Sequence, residues 1–293
     1  MRMNKILVPT DFSETAMHAL SQATRLAKHY DSEIFLFHVV EPYGEPPPHM
    51  AARVSEYVDH IKESAETELS SVAARLEAEG VVARVEMATH VAPVEAIADI
   101  ADAVDPDLVV IGTHGRRGFK RFLLGSVTEK ILRTIPASVM SLSLEAPLVF
   151  DQNVDAPAGR VLVPVDFSEC SKHALDAAFS LVKGGGEVVV VHVVPVPQSP
   201  ALYPGPLVPV TNVDPELMHR ARSRLEEWVD GREARIELRV GEASSSIVEL
   251  SDTQAANMIV MGTRGLTGLD HFLLGSVAER TVRRATVPVL TVH

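Results

Sequence analysis

Gly112, Thr113, His114 and Gly115 follow the apolar run Leu108–Ile111, and nine residues later come Gly125 and Ser126. The same spacing recurs as Gly262, Thr263, Arg264 and Gly265, with Gly275 and Ser276 nine residues on. Glycine at the end of a strand frees the backbone to approach a ligand closely. A helix opening at Gly125–Ser126 presents unpaired N–H groups and a partial positive charge, which suits an anion such as a phosphate. Ser126 with Glu129, and Ser276 with Glu279, also have the spacing of a capping box. Ser126 by itself therefore reads equally well as a plain helix cap. The whole glycine spacing, present twice, is harder to reach from folding needs alone.

The elements that position these residues are duplicated too. KILVPTDFSETAMHAL at 5–20 matches RVLVPVDFSECSKHAL at 160–175, and FLFHVVEP at 35–42 matches VVVHVVPV at 189–196. The segment 108–132 matches 258–282. The order is kept, so the chain is one domain copied in tandem. The copies span 1–144 and 160–293, and 145–159, with two prolines and a terminal glycine, reads as a linker.

Within copy one, strand-length apolar runs alternate with helical periodicity. Strands are expected at Lys5–Pro9, Glu33–Val40, Val81–Thr89, Leu108–Gly112 and Ser138–Leu142. Helices are expected at Ser13–His29, Val54–Glu79, Val94–Val104 and from Gly125 to Thr134. Copy two repeats the pattern with a longer loop, PVPQSPALYPGPLVP. Unbroken apolar strands such as LVVIG and EVVVVHVV point to a parallel sheet covered on both faces. The expectation is α/β: two tandem, open, doubly wound, Rossmann-like domains of five parallel strands each. In such folds a ligand sits outside the carboxyl ends of the strands, where the strand order reverses.

Composition narrows the function. With 27 Lys and Arg against 39 Asp and Glu, the formal charge of −12 argues against nucleic-acid or anionic-membrane binding. The single cysteine, Cys170, excludes an internal disulfide. No apolar stretch of membrane-spanning length occurs and the start does not read as a signal peptide, so a cytoplasmic location is expected. Neither a GxxxxGK[ST] loop nor a GxGxxG turn after the first strand occurs, which argues against a P-loop ATPase and a nicotinamide enzyme. His18 and His173, and His38 and His192, repeat at matched positions without HExxH spacing, and are read as structural. Cys170 lies near a helix start where copy one has Thr15, which argues against a shared redox role, and Trp228 reads as a packing residue.

GTHGRRGFKRFLLGSVTEKIL and GTRGLTGLDHFLLGSVAERTV, with the openings LVPTDFSE and LVPVDFSE, resemble the signature of the universal stress protein family. The resemblance covers nearly the whole chain. It implies an adenine nucleotide alpha hydrolase-like fold and, for members that keep the glycine signature, ATP binding. Carried over by position, Gly112, His114, Gly115, Gly125, Ser126 and Val127 would hold phosphates and ribose in copy one. Gly262, Arg264, Gly265, Gly275, Ser276 and Val277 would do so in copy two. Asp11 and Asp166 would lie beside the nucleoside, Val39 and Val193 would offer backbone groups to the adenine edge, and Pro9, Thr10, Pro164 and Val165 would line the base pocket. A carboxylate suits ribose hydroxyls or an adenine amine better than phosphate; Asp11 also reads as a turn or cap residue ahead of Ser13.

The copies differ in charge. Copy one carries Arg116, Arg117, Lys120 and Arg121 in its nine-residue loop, where copy two has Leu266, Thr267, Asp270 and His271. Tighter or more salt-sensitive phosphate binding is expected in copy one, unless those side chains face solvent or a partner. The leading reading is a nucleotide-dependent stress-response regulator acting through conformation and an unidentified client protein. The resemblance implies pairing through the last strands, Ser138–Leu142 and Val287–Val292, as an internal pseudo-dimer that could associate further. Two alternatives stand beside it: a slow ATP-hydrolysing enzyme using Mg²⁺, and an interaction scaffold with a vestigial pocket. No carboxylate recurs in both glycine loops to serve as a base or metal ligand, so no catalytic residue is assigned.

Overall fold

A computed structural model of the protein describes residues 3–42, 51–114, 124–151, 158–195, 214–265 and 274–293, the side chains of 51–54 excepted. The chain forms two compact units, residues 1–155 and 156–293. In the first, β1 (Lys5–Thr10), β2 (Glu33–Val40), β3 (Ala83–Thr89), β4 (Leu108–Gly112) and β5 (Ser138–Leu142) alternate with four helices. These are α1 (Glu14–Tyr30), α2 (Ala51–Ala78), α3 (Pro93–Val104) and α4 (Ser126–Thr134). The strands pair in parallel in the order β3-β2-β1-β4-β5. In the second unit, β6 (Arg160–Pro164), β7 (Glu187–Val194), β8 (Arg235–Val240), β9 (Met258–Gly262) and β10 (Val289–Val292) pair in parallel as β8-β7-β6-β9-β10. Its helices are α5 (Glu169–Leu181), α6 (Pro215–Val229), α7 (Ala243–Thr253) and α8 (Ser276–Arg284).

The expected α/β class and parallel sheets are what the structure has. Ile6–Val8 and Leu108–Val110 are fully buried, as strands covered on both faces must be. α1 starts where Ser13 accepts a hydrogen bond from the Ala16 N–H, and it stops at Asp31, which caps it in the left-handed conformation. Its buried Ala16, Ala19, Leu20, Ala23, Leu26 and Ala27 form one helical stripe. The last strand is shorter than expected, because Pro288 lacks the N–H that would extend it toward Val287.

The stretch 145–159 reads as a linker from its prolines, yet residues 145–151 are packed against α1. The Gln22 side chain donates to Val149 O and accepts from Val149 N, and the His18 Nε2–H donates to Ala146 O. Phe150 is fully buried, 5.3 Å from the His29 ring and 5.8 Å from that of Tyr30. Burying such a ring stabilises by about 1.5–3 kcal/mol and works together with the Gln22 and His18 hydrogen bonds to offset part of the entropy of ordering the strap. Residues 152–157 of the expected linker lie outside the described residues.

Candidate functional site

Strand order reverses between β1 and β4 in the first unit and between β6 and β9 in the second. The crevice beyond their carboxyl ends is where a doubly wound sheet receives a ligand. Each crevice is bordered by the corner after the first strand (Asp11–Ser13, Asp166–Ser168) and by the turn after the fourth (Thr113–His114, Thr263–Gly265). The start of α4 or α8 completes it.

Gly112 and Gly262 have a packing role at the strand ends. A Cβ on Gly112 would come within 2.7 Å of Thr15 Cγ2 and 3.0 Å of Thr15 O. On Gly262 it would come within 2.8 Å of both the Cys170 carbonyl carbon and Cβ. Each glycine thus lets the first turn of α1 or α5 seat against the end of a strand. Thr15 and Cys170 sit at matched positions because either small side chain fits that gap.

Ser126 and Ser276 are not the caps. Gly125 and Gly275 are the N-caps of α4 and α8, neither helix has a side-chain cap bond, and each serine is the exposed first helical residue. The capping-box glutamates turn the other way, Glu129 to Arg133 at 2.9 Å and Glu279 to Arg283 at 2.7 Å. The first-turn N–H groups of both helices therefore lack intrahelical partners. Gly125 N–H donates to Thr113 O and Gly275 N–H to Thr263 O, which fixes each helix start to its strand. Thr128 Oγ1–H adds a 2.7 Å bond to Gly112 O in the first unit.

The corner after the first strand of each unit carries a carboxylate. Asp11 Oδ1 accepts from Ser13 N–H at 3.0 Å, so the turn role expected for it is real. Asp166 Oδ1 accepts from Ser168 N–H and Oγ–H, and its Oδ2 lies 2.5 Å from where a Cβ on Gly265 would stand. Ser168 Oγ–H also reaches Arg264 O at 3.3 Å. The structure thereby brings Asp166, Arg264, Gly265 and Gly275 together. In the first unit it brings His114 beside Gly125: its Cα lies 3.8 Å from a Cβ placed there. His114 Nδ1 is 2.9 Å from Thr113 Oγ1, and His114 Nε2 is shielded from solvent with no partner among the described residues. A helix start without a side-chain cap and an orphaned ring nitrogen next to it fit an anionic group.

The model of the universal stress protein family matches residues 3–142 and again 158–293. The chain belongs to that family. A universal stress protein of Mycolicibacterium smegmatis is 27% identical over 98% of this chain and 96% of its own length. One of Methanocaldococcus jannaschii is 34% identical over 45% of this chain and 81% of its own. The crystal structure of a universal stress protein from Archaeoglobus fulgidus has a TM-score of 0.70 and 27% identity, covering 99% of this chain and 96% of that one.

In this universal stress protein Pro9, Thr10 and Val165 are buried and Pro164 half-buried at the ends of β1 and β6. Val39 and Val193 are half-buried near the ends of β2 and β7, and Val127 and Val277 are half-buried in the first turns of α4 and α8. Gly115, Arg116, Arg117, Lys120 and Arg121, and their counterparts Leu266, Thr267, Asp270 and His271, lie outside the described residues. Among the described residues no group of three or more His, Cys, Asp or Glu could hold a metal ion, and no helix is long and apolar enough to cross a membrane. Two residues per unit not among the expected site residues, Phe12 with His38 and Phe167 with His192, pack ring on ring at 4.5 Å and 4.7 Å with tilted planes beside the aspartate corner. Their recurrence at matched positions in both copies was the available signal.

Proposed function

We propose that this universal stress protein binds ATP at both crevices and acts as a nucleotide-dependent regulator through conformation and partners. The observation that carries the reading is the pairing, in each unit, of a helix start without a side-chain cap and a carboxylate corner across the strand-order switch. Backbone N–H groups at the starts of α4 and α8 take the phosphates, with the Ser126 and Ser276 hydroxyls beside them. Asp11 and Asp166 accept from ribose hydroxyls or the adenine amine, since a carboxylate beside a phosphate would repel it. Val39 and Val193 present backbone groups to the base, and Pro9, Thr10, Pro164 and Val165 shield its face. His114 Nε2 gains a phosphate partner in the first unit, and Arg264 supplies the matching cation in the second. Mg²⁺ would enter with the triphosphate, as the charge-neutralising part of the ligand.

A nucleotide that binds only the folded crevice stabilises by about 2.7 kcal/mol at one hundred times its Kd. A signal requires that two states of the chain differ in affinity, so that occupancy shifts which surface a client protein or a second copy meets. The test is mass analysis of nucleotide extracted from protein purified without additions. Bound ATP supports the reading, ADP or AMP moves it toward slow hydrolysis, and an empty chain that also rejects added ATP leaves a scaffold.

A further inference from the structure

Phe12 and Phe167 have φ of 60° and 67°, in the left-handed region that a bulky side chain rarely adopts. Asp31, Asp105 and Asp230 share that conformation as helix C-caps, its ordinary use. The two phenylalanines instead stand just ahead of a helix N-cap, at matched positions in the two copies. Something local must hold them there. The Phe12 ring packs on His38 at 4.5 Å and 37°, and Phe167 on His192 at 4.7 Å and 43°. Each histidine is tied in turn: His38 Nδ1–H donates to Thr10 O, and His192 Nδ1–H to Val165 O, both at 2.7 Å. A carbonyl cannot donate, so Nδ1 carries the proton in both.

The histidine on β2 or β7 therefore grips the corner at two points, the carbonyl of residue 10 or 165 and the ring of residue 12 or 167. The residue between them is Asp11 or Asp166. We infer that His38 with Phe12, and His192 with Phe167, are positioning residues that aim the aspartate carboxylate across the crevice, before any ligand arrives. The aim is visible in the second unit. Asp166 Oδ1 is held by Ser168, which turns Oδ2 onto Gly265 in the glycine turn. Arg224 stacks on Phe167 at 4.1 Å and Trp228 meets it edge-on at 5.4 Å, which braces the same ring from α6. Preorganisation of this kind raises affinity by sparing the ligand the cost of ordering its partner.

The inference rests on the nucleotide reading above, and the experiment separates the two. ATP and AMP are titrated calorimetrically into the full chain stripped of nucleotide, and into three double variants. His38→Leu with His192→Leu removes the N–H donor and should weaken ATP and AMP alike by about tenfold, the worth of one hydrogen bond. His38→Asn with His192→Asn keeps an N–H at the same branch of the side chain and should recover affinity to within about threefold of the native chain. Phe12→Gly with Phe167→Gly adopts the left-handed backbone without strain and, in a chain verified as folded by circular dichroism, should lose about tenfold for both ligands. Unchanged affinity in the leucine and glycine variants overturns the positioning role. So does an asparagine pair as weak as the leucine pair, or a loss that grows with phosphate number, which would point to a distorted glycine turn. A native chain that takes up neither ligand overturns the nucleotide reading and this role with it.

Discussion

Replacing Gly112 by alanine tests whether that glycine serves packing or ligand. The new Cβ would lie 2.7 Å from Thr15 Cγ2, 3.0 Å from Thr15 O and 3.1 Å from its carbonyl carbon. Two of these neighbours are backbone atoms of the first turn of α1, so the strand end and the helix must part by several tenths of an ångström. Overpacking of that kind costs about 1–3 kcal/mol. For units of this size it lowers the thermal midpoint by about 3–10 °C, and it does so without nucleotide. Thr15→Ser in the same chain removes Cγ2 but leaves the carbonyl contact, and should return about half of the loss. Gly262→Ala, whose Cβ would meet the Cys170 backbone at 2.8 Å, should behave alike. Thermal unfolding of the nucleotide-free chain followed by circular dichroism reads the effect. A midpoint within a degree of the unsubstituted chain, together with weakened ATP binding, would refute the packing account and restore close ligand approach as the reason for the glycine.

Glu242 caps α7; slight burial works to raise its carboxyl, but hydrogen bonds from the Ser245 and Ser244 side chains and N–H groups outweigh it and hold it at about 2. Its folded value lies below the unfolded 4.5, so its stabilisation is present above pH 4.5 and disappears as pH falls toward 2. Glu242→Ala should cost about 1 kcal/mol at neutral pH by urea titration and flatten the decline on the acid side. Burial raises the Tyr30 phenol to about 12. Its folded value is above the unfolded 10.0, so its contribution is intact below pH 10 and disappears as pH climbs toward 12; Tyr30→Phe should remove the latest phase of tyrosinate absorbance. Gln22→Leu strands the Val149 N–H and C=O that the amide satisfies, and should destabilise the first unit by about 1–3 kcal/mol in the same urea assay.

The elements were legible because the sequence writes each one twice. Leu108–Gly112 is an unbroken apolar run and Glu33–Val40 an apolar run broken only by His38 after its opening glutamate, and their limits match the structure. Around the candidate site the sequence marks residue types more clearly than their local contacts. A glycine repeated in both copies signals a tight spot without saying whether a ligand or a neighbouring helix fills it, and at Gly112 it is the helix. Ser126 followed by Glu129 has the letters of a capping box, but Gly125 takes the cap and Arg133 takes the glutamate, because the strand–helix turn is anchored through Gly125 N–H to Thr113 O. The left-handed Phe12 leaves no local sign, since nothing in a phenylalanine announces positive φ; only the stack on His38, distant in sequence, explains it. The strap at 145–151 hid behind Pro147, and its hold depends on Gln22 and His18 more than a hundred residues away.

The central claim is that both crevices hold ATP through α4 and α8 starts facing Asp11 and Asp166. Isothermal titration of ATP into the nucleotide-stripped chain tests it most directly. The account predicts saturable heat with a stoichiometry near two, and with Asp166→Ala one of the two sites should weaken by about tenfold or more while the other keeps its affinity. Absence of heat, or a stoichiometry and affinity that Asp11→Ala and Asp166→Ala together leave untouched, would contradict it.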